Sequence, residues 1–212
     1  AVPVSALMNA VCCDVYPSAS DAMLRAGWEF VGHCWFQRSL LREPDERVVV
    51  RRTLERLEQA SGKRVRGWLG AGIGETFDTP DVLKEHGIEW LSDFYVDDLP
   101  CWMRTKHGPM VAMPYTVELN DVPIWAIQNH SSDEMYKRLV STLETYEREL
   151  TENPRVLTLA LHPHVIGVAH RIGYFARMLD LLQARNDTVF VTGSQIHDWF
   201  VAADGSGGAG LG

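Results

Sequence analysis

Short apolar runs alternate with helix-like stretches along most of the chain, and this alternation restricts the fold more than any other feature. The runs VPVSALMN (2–9), WEFVGH (28–33), VRGWLG (65–70), IEWLSD (88–93), MVAMPY (110–115), VLTLALH (156–162) and TVFVTG (188–193) are each short and largely apolar. That is the pattern of strands covered on both faces. Between them, 18–27 and 44–62 read as helices stopped at Gly27 and Gly62, and 79–87 has Thr79 as its cap, Pro80 at its first position and Gly87 as its terminator. The stretch 131–150 opens with Ser131 and Glu134 in capping-box spacing and repeats apolar residues three and four apart. Helices at 170–186 and 194–203 complete the series. Such β-α repetition with parallel strands means an α/β barrel or an open doubly wound sheet.

A length of 212 residues, 46% of them hydrophobic, suffices for one full-sized core. The expected organisation is a single domain over 1–203 followed by a flexible glycine-rich tail, 204–212, which has few apolar side chains to offset its ordering. A formal charge of -8 without a Lys/Arg-rich block argues against nucleic acid or an anionic membrane surface as partner. Cys12, Cys13, Cys34 and Cys101 form no CxxC pair, so neither a structural zinc site nor a disulfide framework is signalled. A cytoplasmic protein with a small-molecule partner is the expectation, with no nucleic acid and no membrane.

In α/β folds chemistry gathers beyond the carboxyl ends of the strands, where side chains are held around a common opening. Four stretches offer it here. His33 closes a strand in GHCWFQ (32–37), with Gln37 four residues on; Arg66 and Glu75 flank the glycine-rich RGWLGAGIGETFDT (66–79). Asp97 and Asp98 are adjacent carboxylates in SDFYVDDLPCW (92–102), where Asp93 closes a strand, and LHPHVIG (161–167) holds His162 and His164. If that last strand continues through Pro163, both imidazoles share a face, because side-chain direction repeats every two residues. His-x-His also resembles zinc chemistry, but no nearby acidic or histidine group completes a ligand set. The glycines of GWLGAGIGET fit neither a P-loop nor a dinucleotide fingerprint, so a wide turn around a pocket is expected. Trp35, Trp68 and Trp102 adjoin these groups and are candidates for pocket walls as well as for core packing.

Taken in order, VPVSALMNA, GWEFVGHCW, RGWLGAGIGETFDTPDVLKEHGIEWLSDFYVDDLPCW, MPYTVELND, LALHPHVIGVAHRIGYFARMLDLL and VFVTGSQIHDWF resemble the polysaccharide deacetylase superfamily. This is also called the NodB-homology or carbohydrate esterase family 4 group, and the closer resemblance is to its allantoinase-like and cyclic-imide hydrolase-like branch. The resemblance implies a distorted (β/α)7 barrel that hydrolyses C–N bonds of N-acetyl sugars, amides, imides or ureides. It also implies a first strand with an aspartate motif before VPVSALMNA. The expected barrel is therefore incomplete at its N-terminus, with a missing segment or a homo-oligomer partner completing it. His33 matches the first position of a His-x-x-x-His metal motif whose second position is Gln37, a poor ligand. Arg66 corresponds to the family's arginine motif, Asp98 to its fourth-motif aspartate, and Leu159, His162 and Pro163 to its Leu-x-x-His-Pro motif. Gly70-Ala71-Gly72 stands where the allantoinase-like branch has Gly-Pro-Gly, and Ala169 where it commonly has proline.

Amide hydrolysis requires activated water, a held oxyanion and a protonated nitrogen. On this resemblance His162 is the expected general acid, His33 positions water or a carbonyl, Arg66 holds a carboxylate or oxyanion, and Asp98 orients Arg66 or an imide N–H. Gln37, Trp35, Trp68, Glu75, Trp102 and His164 are the expected substrate contacts. No cofactor is expected, since Gln37 replaces a histidine; the alternative is zinc or another divalent metal on His33, His162 and His164. The expected substrate is a small cyclic imide, ureide or amide. The alternatives are a metal-dependent deacetylase of chitooligosaccharide or peptidoglycan, and a catalytically impaired small-molecule-binding or scaffold protein.

Overall fold

The computed structural model describes residues 2–149 and 154–209. The chain divides into two compact units, one of Ala1–Phe94, Pro100–Met113 and Phe190–Gly212, the other of Tyr95–Leu99 and Pro114–Val189.

The first unit is built on a six-stranded sheet. In chain order its elements begin with β1 (Ser5–Met8), α1 (Cys12–Val15), α2 (Pro17–Arg25), β2 (Glu29–Gly32), α3 (Glu46–Ser61), β3 (Gly67–Trp68), α4 (Thr79–Glu85) and β4 (Trp90–Leu91). A hairpin of β5 (Cys101–Thr105) and β6 (Gly108–Ala112) follows. The strand order is β1-β2-β3-β4-β6-β5, with β1 to β4 and β6 parallel and β5 antiparallel to β6. Parallel neighbours need crossovers, which helices supply between β1 and β4 and which strand β5 and the loop before it supply between β4 and β6. In α3 the Asp45 carboxylate accepts from the backbone N–H groups of Arg47 and Val48, and Gly62 ends the helix at φ +66°. Its Val50, Leu54 and Leu57 enter a core shared with Met8, Phe30, Trp68, Leu83, Leu91 and Met110.

Close packing of the short strands depends on two glycines. Gly32 pairs with Trp68 and Gly67 with Trp90, and a Cβ on either glycine would fall inside the facing indole. Trp68 is therefore a fully buried core residue rather than a pocket wall. β5 went unread in the sequence, since CWMRT carries little apolar signal; it forms because Gly108, at φ +108°, turns the chain back.

The second unit contains a 3-10 turn at Val117–Leu119, a π-helix at Val122–Ile127, and the helices α5 (Glu134–Glu149), α6 (Pro163–Ile166) and α7 (Ala169–Gln183). Leu119, Ile124, Met135, Leu139 and Met178 are fully buried in it. The strand expected at 156–162 is replaced by an extended segment with one bridge among the described residues, Asn120 to Ala160. The N–H groups of Val156, Thr158 and Ala160 go to Asp98 O (2.8 Å), Thr116 Oγ1 (3.0 Å) and Leu119 O (3.1 Å). A side-chain acceptor in the middle breaks the ladder. Nor does 162–164 continue as a strand, because Pro163 starts α6 and His162 is its N-cap.

The run 188–192 likewise carries no strand. The chain then returns to the first unit in α8 (Gly193–Asp204), which opens with a capping box between Thr192 and Gln195. Its Ile196, Phe200 and Val201 pack with Trp102 on a second cluster of Val31, Trp90, Val111 and Met113. At the end of α8, Asp204 accepts from Trp102 Nε1 (2.8 Å) and Ser206 N (3.1 Å). Residues 210–212 of the expected tail lie outside the described residues.

Candidate active site

The carboxyl ends of β1 to β4 share one edge of the sheet, and Asn9, His33, Leu69–Gly70 and Asp93 stand just beyond them. His33, 7% exposed, has Nδ1 2.6 Å from Leu69 O, and Asn9 Nδ2 donates to its backbone carbonyl. A carbonyl only accepts, so Nδ1 carries a proton. Gly70 N donates to both carboxylate oxygens of Asp93 at 2.9 Å. Asp93 is 5% exposed, and burial pushes its carboxyl up to about 7 against the pull of that N–H. Glu75 lies in the following loop; burial, then the charges of Asp93 and Glu46, push it up to about 8, and its buried Oε2 has no hydrogen-bond partner among the described residues. Cys34, at φ +62°, is pushed up to about 11 by burial.

This pair has a stability signature. Because Glu75 rises from 4.5 to about 8 on folding, the folded chain binds more protons than the unfolded chain between those values. The contribution to stability therefore falls as pH rises through that window. Glu75→Gln is expected to gain stability relative to the parent between about pH 5 and about pH 8 in urea denaturation. A constant difference across the window would contradict this.

Arg66 is at the other edge. It precedes β3 as Glu89 precedes β4, so both lie at the amino ends of the strands, away from His33. Arg66 donates to Glu89 (2.6 Å), to Asp198 through Nη1 (3.1 Å) and Nη2, and to His197 Nδ1 (3.1 Å). The hydrogen bond from Arg66 holds Asp198 down at about 2, and Asp198 and Glu89 in turn raise the guanidinium. Sequence reasoning expected this arginine beside the substrate; its partners here tie α8 to the amino ends of β3 and β4.

The same group corrects the expectation that no cofactor is called for. Glu89, His197 and Asp198 each offer a ligand atom, all within 4.8 Å of one another, and two carboxylates with an imidazole suit a divalent ion such as zinc. In this conformation the cation they share is the Arg66 guanidinium. Arg66→Ala is expected to tighten Zn2+ binding by about tenfold or more in calorimetric titration, since the guanidinium that all three donors share is then gone and only the more exposed Arg64, 3.5 Å from Glu89, still competes. Equal affinity in parent and variant would show that the three side chains do not act as one donor set.

The remaining expected contacts are scattered. Trp35 lies beneath the Arg52 guanidinium, 3.5 Å from its ring centroid, and borders a cleft of about 100 Å³ with Cys34, Phe36 and Glu43. Gln37 is exposed, and Trp102 is engaged with Asp204 and Phe200.

In the second unit the His162 ring is held by a buried carboxylate. Asp121, 0% exposed, accepts from His162 Nδ1 at 2.6 Å through one oxygen and from His162 N at 2.7 Å through the other. Its own N–H is fixed to Ala160 O at 3.1 Å. Nδ1 is therefore the proton-bearing nitrogen and Nε2 the one that exchanges protons. His164 is exposed, and its ring meets that of His162 edge-on at 6.0 Å and 76°, since α6 replaces the strand that would have aligned them. The same unit has a polar cleft of about 340 Å³ bordered by Tyr95, Asp97, Asp98, Tyr115, Thr116 and Glu118. Tyr146, pushed up to about 12 by burial and then by Asp98, hydrogen-bonds that carboxylate.

Asp93, Asp121 and His197 were not among the sequence-derived site residues. Asp121 sits in the apolar stretch LNDVPIW, where a lone carboxylate that folds inward needs a partner; its partner is 41 residues away.

No family model matches the chain. A Schizosaccharomyces pombe protein described as "Putative polysaccharide deacetylase" is 24% identical over 199 residues, 85% of this chain and 62% of that protein. Among solved structures, Puue allantoinase superposes with a TM-score of 0.86 at 24% identity, covering 95% of this chain and 68% of that one. A probable polysaccharide deacetylase from Pseudomonas aeruginosa PAO1 gives the same TM-score, identity and coverages. The fold is that of the polysaccharide deacetylase and allantoinase superfamily. The resemblance read from the sequence, and with it a mixed α/β fold of NodB type, is borne out at this distant identity. The chain spans about 62% of the length of the curated relative it matches. Among the described residues no helix is long and apolar enough to cross a membrane.

Proposed function

We propose that the whole protein hydrolyses a non-peptide C–N bond, with N-acetylated sugars as the first substrate class and a divalent metal among its components. The observation that carries this reading is the Asp121–His162 pair. Asp121 fixes the tautomer and direction of the imidazole, so Nε2 can take up the proton that the attacking water releases and deliver it to the departing nitrogen as the C–N bond breaks. Water adds its oxygen to the carbonyl carbon, and the products are a carboxylic acid and an amine. A polar cleft with three carboxylates, two phenols and a hydroxyl suits the edge hydroxyls of a sugar better than the faces of a flat ring. Two similar proteins bear polysaccharide deacetylase names. Glu89, His197 and Asp198 would hold a divalent ion, which there would neutralise two carboxylates and anchor α8.

A second reading, hydrolysis of a small cyclic imide or ureide, is favoured by the equally good superposition on an allantoinase. A hydrolysis panel of N-acetylated oligosaccharides, allantoin, hydantoins and succinimides, with and without added Zn2+, separates them. Selective turnover of the oligosaccharides supports the first reading and turnover of the rings the second. No turnover by the whole folded protein overturns both in favour of a binding or scaffold protein.

A further inference from the structure

We infer that Asp93 is a positioning residue for His33, acting through the single peptide bond between Leu69 and Gly70. His33 follows β2, Asp93 follows β4, and this peptide follows β3, which lies between them in the sheet. The carbonyl of the peptide accepts from His33 Nδ1, and its N–H donates to both oxygens of Asp93. No peptide bond among the described residues is cis, so the C=O and N–H point opposite ways and the two side chains grip the unit from both sides. Hydrogen bonds in such a chain polarise one another, and the pull of the carboxylate on the N–H is passed to the carbonyl that orients the imidazole. A direct Asp–His contact does the same work in the second unit; here a backbone amide stands between the two groups.

Residue 70 must be glycine for this. A Cβ there would stand 2.7 Å from Asp93 Oδ1 and 3.0 Å from Gly74 O, so any side chain pushes the carboxylate off the amide. The titratable groups that face Asp93 are Glu75 and Cys34, and Glu46 faces Glu75 in turn. As a contribution to hydrolysis the inference rests on the reading proposed above; as a statement about the His33 ring it does not.

The experiment is long-range 1H–15N NMR of the whole protein labelled at histidine, read beside kcat and KM. In the parent, His33 should carry its proton on Nδ1 alone. Asp93→Ala should mix the two tautomers and lower kcat by about tenfold or more with little change in KM. Asp93→Asn, which keeps an acceptor for Gly70 N, should preserve the tautomer. Should Asp93→Ala not fold, Gly70→Ala displaces the same carboxylate and should mix the tautomers likewise. If the parent turns over no substrate, the tautomer measurement still decides the inference while the functional reading fails separately. His33 remaining wholly Nδ1-protonated in the folded alanine variants would overturn it.

Discussion

His162→Ala is expected to lower kcat of the whole protein by about 10²- to 10⁴-fold, the usual worth of a positioned proton donor, while the fold survives. Survival follows from the way Asp121 is used. Removing the imidazole leaves the buried carboxylate bonded to the backbone N–H of residue 162 at 2.7 Å, so its charge is not orphaned. Asp121→Ala differs, because it strips the acceptor from two donors at once, at about 1–3 kcal/mol for each left unpaired. The two variants should therefore share a large loss of kcat in steady-state kinetics and separate in thermal melts, where only the second is substantially destabilised. Unchanged kcat in His162→Ala, on a substrate the parent hydrolyses, would remove the imidazole from the mechanism.

Gly67→Ala is expected to be the most damaging small substitution for stability, at about 3 kcal/mol or more. The new methyl would enter the Trp90 indole, and the indole cannot retreat. Gly193 lies against the same ring, and Trp90 Nε1 is tied to Ser194 Oγ at 3.2 Å. Relief requires α8 to leave the sheet. Gly27→Ala makes the comparison: Gly27 sits at φ +77° with nothing among the described residues within 4 Å of a Cβ, so only backbone strain of about 1–2 kcal/mol applies. Urea denaturation of both variants measures the gap, and equal losses would mean that the indole yields.

The sequence exposed the elements whose signal is local. Helices at 44–62 and 79–87 appear within a few residues of their expected bounds, because Asp45 and the terminating Gly62 and Gly87 are written beside the apolar spacing; Thr79, expected as a cap, is instead the first helical residue, after Asp78. The parallel strands β1 to β4 are found inside their apolar runs. At 156–162 the run is equally apolar, yet its backbone donors meet a threonine hydroxyl and scattered carbonyls, and partner geometry cannot be read from the run itself. The site shows the same division. His33 and His162 stand out as strand-end imidazoles, whereas Asp93 and Asp121 matter through partners 23 and 41 residues away. Arg66 looked like a pocket residue because a strand of two residues gives no sense of which end it occupies. The metal expectation failed for a related reason: it weighed ligands by motif, and Glu89, His197 and Asp198 come together only when α8 returns to the sheet.

The route of the chain between the units limits how this protein can be dissected. It passes from one unit to the other four times, after Phe94, Leu99, Met113 and Val189. No single truncation therefore liberates either unit intact. A fragment of residues 114–189 would contain His162 and Asp121 but lack Tyr95–Leu99, and with it the Asp98 carbonyl that takes the Val156 N–H at 2.8 Å. A self-standing version of that unit requires the five residues to be spliced back by circular permutation or supplied as a separate peptide. For the same reason a nick after Leu99 or Met113 leaves each piece contributing to both units, so cleavage on a gel need not mean dissociation in solution.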